Sequence, residues 1–311
     1  MKVLLAGVNG YISTRLIPVL LEKGHEVVCL ARDKEHFHKH EFSNRVTLVA
    51  GDLLKESSIE PFPTDVDAAY YLVYSMSQAQ DFAALEALSA YNFIHALDKT
   101  NCRQTIFLSG IVNNDNLSKH LEPRKHVEGV LKEGKSALTV LRAAIIIGAG
   151  SASFEIIRDL TEKLSIMTVP RWANTRCQPI AIGDVLGYLE SVMLNEKTFN
   201  RNFDIGGPDI LTFKEMMLTY AKVRHLKRRI ITIPFLSPKI SSYWLHFVTS
   251  VSYTLAQSLV NSMKNETIMH DHSIDDIVLR QCLTYEEALQ LAFIFNQTND
   301  LITNEPINNL N

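Results

Sequence analysis

The chain has 311 residues, 46% of them hydrophobic and 21% charged, and its formal net charge is −3. That size and balance suit a soluble globular protein of one large domain or two intimate ones. No basic stripe marks a nucleic-acid partner, and no apolar run reaches the ~18 residues that a membrane span needs.

An apolar run from Val3 to Ala6 reads as a buried strand, followed at once by Gly7 and Gly10. Ile12, Leu16, Val19 and Leu20 then recur at helical spacing until Gly24, and Glu26 to Ala31 reads as a second strand. Strand, glycine turn and helix bring backbone N–H groups to a phosphate at a helix N-terminus. Gly7 lets the chain leave the strand with an unusual φ, and Gly10 lets the backbone approach a pyrophosphate. Ser13 stands where a third small residue would let the helix pack closely, so the spacing is G-x-x-G-x-x-S. A βαβ unit of about 30 residues is what a dinucleotide site requires. At the end of the second strand an acid would bind a ribose 2′-hydroxyl, whereas an arginine accepts a 2′-phosphate. Arg32 holds that position, ahead of Asp33 and Lys34. NADP is therefore expected ahead of NAD, the alternative for Arg32 being a solvated surface charge.

Further along, strands are expected at 46–50, 68–73, 104–108 and 138–142, with helices near 78–99 and 123–132. Six strands separated by helices predict an α/β fold, a Rossmann-type doubly wound parallel sheet. Ligands then bind beyond the carboxyl ends of the strands. The domain that this predicts covers 1–145, with 178–206 returning to it. Residues 146–295 are expected to form mainly a smaller, mostly helical lobe, and 296–311 a polar tail. Within the lobe, Thr212 to Glu215 has capping-box spacing. The stretch 230–260, broken by Pro234, Pro238 and Lys239, reads as helices packed on a domain. Cys29, Cys102, Cys177 and Cys282 are far apart, lack metal-ligand spacing and read as reduced thiols. No metal site is expected. No secretory leader precedes the first strand, so a cytoplasmic location is expected, with a small-molecule substrate and a monomer or loose homodimer.

The glycine turn, Gly51-Asp52, Asp184-Val185 and Ile205 to Pro208, in that order, resemble the short-chain dehydrogenase/reductase superfamily in its extended and atypical branches. The likeness is closest to bacterial NAD(P)H-binding, nucleoside-diphosphate-sugar epimerase-like proteins, relatives of isoflavone reductases and nitrogen-metabolite-repression regulators. Arg142 to Glu155 and Pro170 to Trp172 look like blocks of that group. The resemblance implies that Gly7, Asn9, Gly10, Tyr11 and Ile12 line the pyrophosphate and that Arg32 meets the 2′-phosphate. Asp52 and Leu53 would hold the adenine, with a helix N-cap as the alternative for Asp52. Val73, Tyr74 and Ser75 would run beside the ribose, and Ser109 would sit near the nicotinamide or serve as a turn residue.

Catalysis in that superfamily uses Tyr-x-x-x-Lys on a helix, where four-residue spacing puts both side chains on one face and the ammonium lowers the tyrosine pKa. The window between the fifth and sixth strands has no such pair. It offers His120, Arg124 and His126. His120 titrates near neutrality and has the four-residue spacing to Arg124; Arg124 can stabilise negative charge but cannot act as a base. The shared face fails if Pro123 opens the helix, because His120 then precedes it. His120, Arg124 and Ser109 are the catalytic candidates, and Met76, Phe154, Trp172 and Gln178 the candidates for lining a substrate pocket. The leading expectation is an NADP-preferring oxidoreductase acting on a small carbonyl or enone. Its rivals are a non-catalytic NAD(P)-binding redox sensor or regulatory subunit and, more weakly, a sugar-nucleotide epimerase.

Overall fold

The computed structural model describes residues 1–73, 82–111, 121–233 and 265–303, and these divide into two compact units. The first unit comprises Met1–Ala144, Gly183–Ile205 and Thr267–Gln281, and the second Ile145–Ile182, Gly206–Glu266 and Cys282–Asn311.

In the first unit six strands run in chain order: β1 (Lys2–Ala6), β2 (Glu26–Ala31), β3 (Thr47–Ala50), β4 (Ala68–Tyr71), β5 (Gln104–Gly110) and β6 (Ala137–Ala143). A seventh, Arg201–Ile205, pairs with β6, and every pairing in this sheet is parallel. The spatial order is β3-β2-β1-β4-β5-β6 and then Arg201–Ile205. The order reverses between β1 and β4, the switch point at which open α/β sheets bind ligands. The central strands β1, β2 and β4 are buried on both faces, which is why each reads as a nearly unbroken apolar run.

Helices cover both faces. They are α1 (Ser13–Glu22), α2 (Lys34–Phe37), α3 (Phe82–Leu97), α4 (Leu121–Leu131) and, after α5 (Ala152–Lys163) of the second unit, α6 (Ile182–Ser191). Phe93, Ile94 and Leu97 of α3 and Val127 and Leu131 of α4 pack with Leu4, Val28, Tyr71, Phe107 and Val140 in one core. On the other face the Tyr70 hydroxyl donates to the carbonyl of Leu189 in α6 at 2.8 Å, and Lys23 just after α1 pairs with Glu190 of α6 at 2.7 Å. The returning segment Thr267–Gln281 is tied down by Arg280, whose Nε donates to the buried Asp184 at 2.9 Å. It is also tied by Asp204, which accepts from the backbone N–H of His270 at 3.1 Å.

The second unit packs α5 against α7 (Phe213–Val223) and α8 (Tyr285–Thr303). The capping box expected at Thr212 is present: Thr212 Oγ1 accepts from Glu215 N at 3.1 Å, and the Glu215 carboxylate accepts from Thr212 N at 2.7 Å. Short strands join the helices, including a parallel pair of Ile166–Pro170 with Arg229–Ile233. α8 continues as helix to Thr303, into the stretch whose composition reads as a tail. Burial pushes the thiols of Cys29, Cys102 and Cys177 up to about 12, so none is a thiolate near neutral pH. Among the described residues no helix is long and apolar enough to cross a membrane. Most of the stretch 230–260 lies outside the described residues.

Candidate functional site

The turn after β1 is built as its glycines demand. Gly7 has φ +85°, and a Cβ on it would lie 2.5 Å from the carbonyl oxygen of Leu72 and 2.8 Å from the nitrogen of Val73. Gly10 N donates back to Gly7 O at 3.0 Å, closing the turn. No side chain caps α1 at Ile12; the amides of Thr14 and Arg15 donate to the backbone carbonyls of Gly10 at 3.0 Å and Ile12 at 3.1 Å, and the positive end of the helix dipole lies at the glycine turn. Ser13 is completely buried, which allows the close helix–strand approach expected of the third small residue. Asn9 and Gly10 are exposed, while Tyr11 and Ile12 are half-buried. The Arg15 guanidinium lies 3.9 Å from the centre of the Tyr11 ring, so a cation that the glycine spacing does not advertise stands in the first turn.

At the end of β2, Arg32 is exposed and makes no ion pair among the described residues. Asp33, the acid beside it, is committed elsewhere: its carboxylate caps α2, accepting from His36 N at 2.9 Å. Asp33 is thus engaged in the α2 cap, while the Arg32 guanidinium beside it is exposed.

Asp52 caps no helix. Its Oδ1 accepts from Leu54 N at 3.0 Å, an Asx turn that shapes the loop after β3. The following one-turn helix, Glu56–Ser58, starts without a side-chain cap. Ser58 Oγ accepts from Asp52 N at 2.9 Å, and Asn92 of α3 donates to Leu53 O at 2.7 Å. Leu53 is buried, and its side chain packs in the core with Phe93 and Tyr71. Asn92 is a supporting contact of this loop that sequence reasoning missed. Its one signal is an amide buried on the packed side of a helix. Asn92→Ala would leave the Leu53 carbonyl without its donor. It is expected to cost about 1–2 kcal/mol, read as a lower unfolding midpoint, and to weaken adenine nucleotides more than nicotinamide mononucleotide.

Ser109 lies at the carboxyl end of β5, 5% exposed, and its Oγ has no hydrogen-bond partner among the described residues. A buried hydroxyl without a partner costs stability unless something supplies one. Strand alternation places Ser109 on the same face as Phe107, the face covered by α3 and α4. Arg124 of α4 stands there too, its Cζ 5.6 Å from the centre of the Phe107 ring. Ser109 and Arg124 are therefore brought to one face at the end of one strand. Across β6, Arg142 is the register partner of Ser109, and its Nη2 pairs with Glu128 of α4 at 2.5 Å. Arg124 and Glu128 are four apart on α4, so both lie on one face of that helix. Burial, reinforced by the Glu86 carboxylate, pushes the phenol of Tyr71 up, and Arg124 partly opposes this; Tyr71 is no base.

α4 begins at Leu121, with Pro123 in its first turn where proline is tolerated. His120 lies outside the described residues, as do Tyr74, Ser75 and Met76. His126 is on α4 and exposed. Val73 is half-buried at the end of β4, beside Gly7. In the second unit Phe154 is completely buried against Tyr220 and Phe293. Trp172 packs edge-on against Phe213, its indole nitrogen without a hydrogen-bond partner among the described residues. The Gln178 amide donates to Gly207 O at 2.7 Å.

Residues 7–146 match the model of a family described as NAD(P)H-binding. No curated protein matches the chain. Among solved structures, an NADPH-dependent quinone oxidoreductase from Escherichia coli superposes with a TM-score of 0.72 at 14% identity, over 94% of this chain and 100% of the other. A nucleoside-diphosphate-sugar epimerase from Staphylococcus aureus gives 0.71 at 14% identity, over 93% and 100%. A UDP-glucose 4-epimerase from Thermotoga maritima gives 0.70 at 13% identity, over 96% and 99%. With its glycine turn at the switch point of a parallel sheet, the segment 7–146 is an NAD(P)H-binding domain, carried on the Rossmann-type fold that these oxidoreductases and epimerases share.

Proposed function

We propose that the protein is an NADP-preferring oxidoreductase acting on a small carbonyl or enone, through a site without Tyr-x-x-x-Lys. The observation that carries the reading is the buried, unpartnered Ser109 hydroxyl, on one face with Arg124 at the carboxyl end of β5. The residues fit a dinucleotide: the amides of the Gly7–Gly10 turn and the uncapped start of α1 suit the pyrophosphate, and the loop held by Asn92 suits the adenine. Arg32, with Asp33 committed to its cap, suits a 2′-phosphate. A bound nicotinamide supplies or accepts the hydride. Ser109 donates its hydroxyl hydrogen to the substrate oxygen that gains charge, and Arg124 stabilises that charge without giving up a proton. His120 or water supplies the proton. A conjugated carbonyl suits such a site, because its delocalised oxyanion depends least on a strong acid. The quinone oxidoreductase of like fold supports that substrate class.

The first test is thermal unfolding with NADPH, NADP, NADH and NAD, followed by NADPH consumption with a panel of enones and quinones. The phosphorylated pair is expected to stabilise more, by about 2.7 kcal/mol at 100 times its Kd. Ser109→Ala is expected to lower kcat by about 10²-fold while NADPH affinity stays as in the wild type. Turnover untouched by S109A would overturn the assignment of Ser109. One observation favours the second reading, a redox sensor without turnover: α4 contains no tyrosine. Tight binding of both redox forms, with no acceptor consumed across the panel, would select it. Epimerase chemistry leans on that same tyrosine and has the least support.

A further inference from the structure

The segment after β2 carries three histidines, His36, His38 and His40, interleaved with Lys34 and Lys39. Of these, His40 reaches back to the glycine turn: its Nε2 donates to Asn9 Oδ1 at 3.1 Å. The ring is held in place by stacking on Phe42, with centroids 5.1 Å apart and planes 4° apart, and by the edge of Phe37 at 5.4 Å. Phe37 is itself completely buried, so the platform is anchored in the core. With its oxygen occupied by His40, the Asn9 amide has its N–H groups left to donate elsewhere, at the turn that suits a pyrophosphate. The same imidazole belongs to the loop that Arg32 opens. His40 therefore ties the segment after β2 to the glycine turn.

We propose that His40 is a positioning residue that aims Asn9 at the pyrophosphate and, by taking up a proton when a 2′-phosphate binds, sharpens the preference for the phosphorylated cofactor. The inference rests on the NADP-preferring reading above. In the free protein, burial and the neighbouring His36 hold His40 below the usual histidine value, so it is neutral near pH 7. The groups that face it are His36 from α2, Asn9 from the glycine turn, and the uncharged rings of Phe37 and Phe42. No carboxylate is among them. A dianionic 2′-phosphate at the end of β2 favours the imidazolium and raises its pKa in the complex. Protons come from solvent, and affinity for the phosphorylated cofactor gains as pH falls towards the free value. Nε2 donates to Asn9 in either charge state, so the aim is kept while the charge changes.

The test measures Kd for NADPH and for NADH at about pH 6 and about pH 8, in the full chain and in His40→Gln. The 2′-phosphate itself titrates near pH 6, and H40Q carries that contribution unchanged. The NADH/NADPH ratio of the wild type, divided by that of H40Q, is expected to rise about five-fold from the higher to the lower pH, the size of an exposed charge pair. Calorimetry in buffers of different ionisation enthalpy is expected to show proton uptake with NADPH in excess of that with NADH, reduced in H40Q. The His40 platform is half-exposed, and an unchanged unfolding midpoint will confirm that H40Q is folded. A quotient that stays flat while both cofactors bind overturns this inference alone. Failure of NADPH to bind the wild type overturns the underlying reading as well.

Discussion

Replacing Gly7 by alanine is expected to destabilise the first unit by about 2–4 kcal/mol and to abolish nucleotide binding. Two costs add. An L-residue at φ +85° pays about 1–2 kcal/mol for the left-handed backbone alone. The new methyl would also press on the main chain, lying 2.5 Å from the Leu72 oxygen and 2.6 Å from its carbonyl carbon. Main chain at the end of a central strand cannot swing aside as a side chain can, so either β4 or the turn must move. Gly10 provides the contrast: its Cβ would meet only Gly7 O, at 3.1 Å. Gly10→Ala is expected to keep most of the stability yet weaken NADPH, since its methyl stands where a phosphate approaches. Denaturant unfolding and a fluorescence titration of each variant separate the two effects. A wild-type midpoint for G7A would show that the turn does not hold the geometry described.

The residues of this turn were legible in the sequence because strand, glycines and helix succeed one another within thirty residues. β2 falls at Glu26–Ala31 as its apolar run predicts, and the Thr212 capping box is where its spacing puts it. Such features depend on neighbours in the chain. β4 is expected to run to Val73 but stops at Tyr71, where the chain turns close against Gly7, a constraint imposed by another strand. The site's supporting contacts are harder to foresee for the same reason. Asn92 reaches Leu53 across 39 residues, His40 reaches Asn9 across 31, and Arg280 reaches Asp184 across 96. No local period announces them. Of the two readings of Asp52, the helix cap gives way to an Asx turn, whose bond to Leu54 N no local period announces. The missing Tyr-x-x-x-Lys was visible at once, but that Arg142 stands beside Ser109 and holds Glu128 of α4 needed the sheet register.

Arg32→Ala is expected to weaken NADPH by about 10- to 100-fold and leave NADH within about two-fold of the wild type. The range follows from ~1.5–3 kcal/mol for hydrogen bonds to a charged group. At about pH 8 no neighbouring cation is expected to compensate. Asp33 is bound to its cap, and the next cation, Lys34, is already within 3.4 Å of Glu60. The effect should shrink as salt is raised, because an exposed pair is screened over about 10 Å at 0.1 M. Asp33→Ala is the control for a merely structural cause: it removes the α2 cap at a cost of about 1 kcal/mol, and should shift stability without shifting cofactor preference. Measured near pH 8, where His40 is neutral, the R32A effect isolates the guanidinium; repeated near pH 6, it shows how far the imidazolium substitutes for it. Equal weakening of NADPH and NADH by R32A would mean that Arg32 supports the loop rather than reads the 2′-phosphate, and the expectation of NADP over NAD would fall with it.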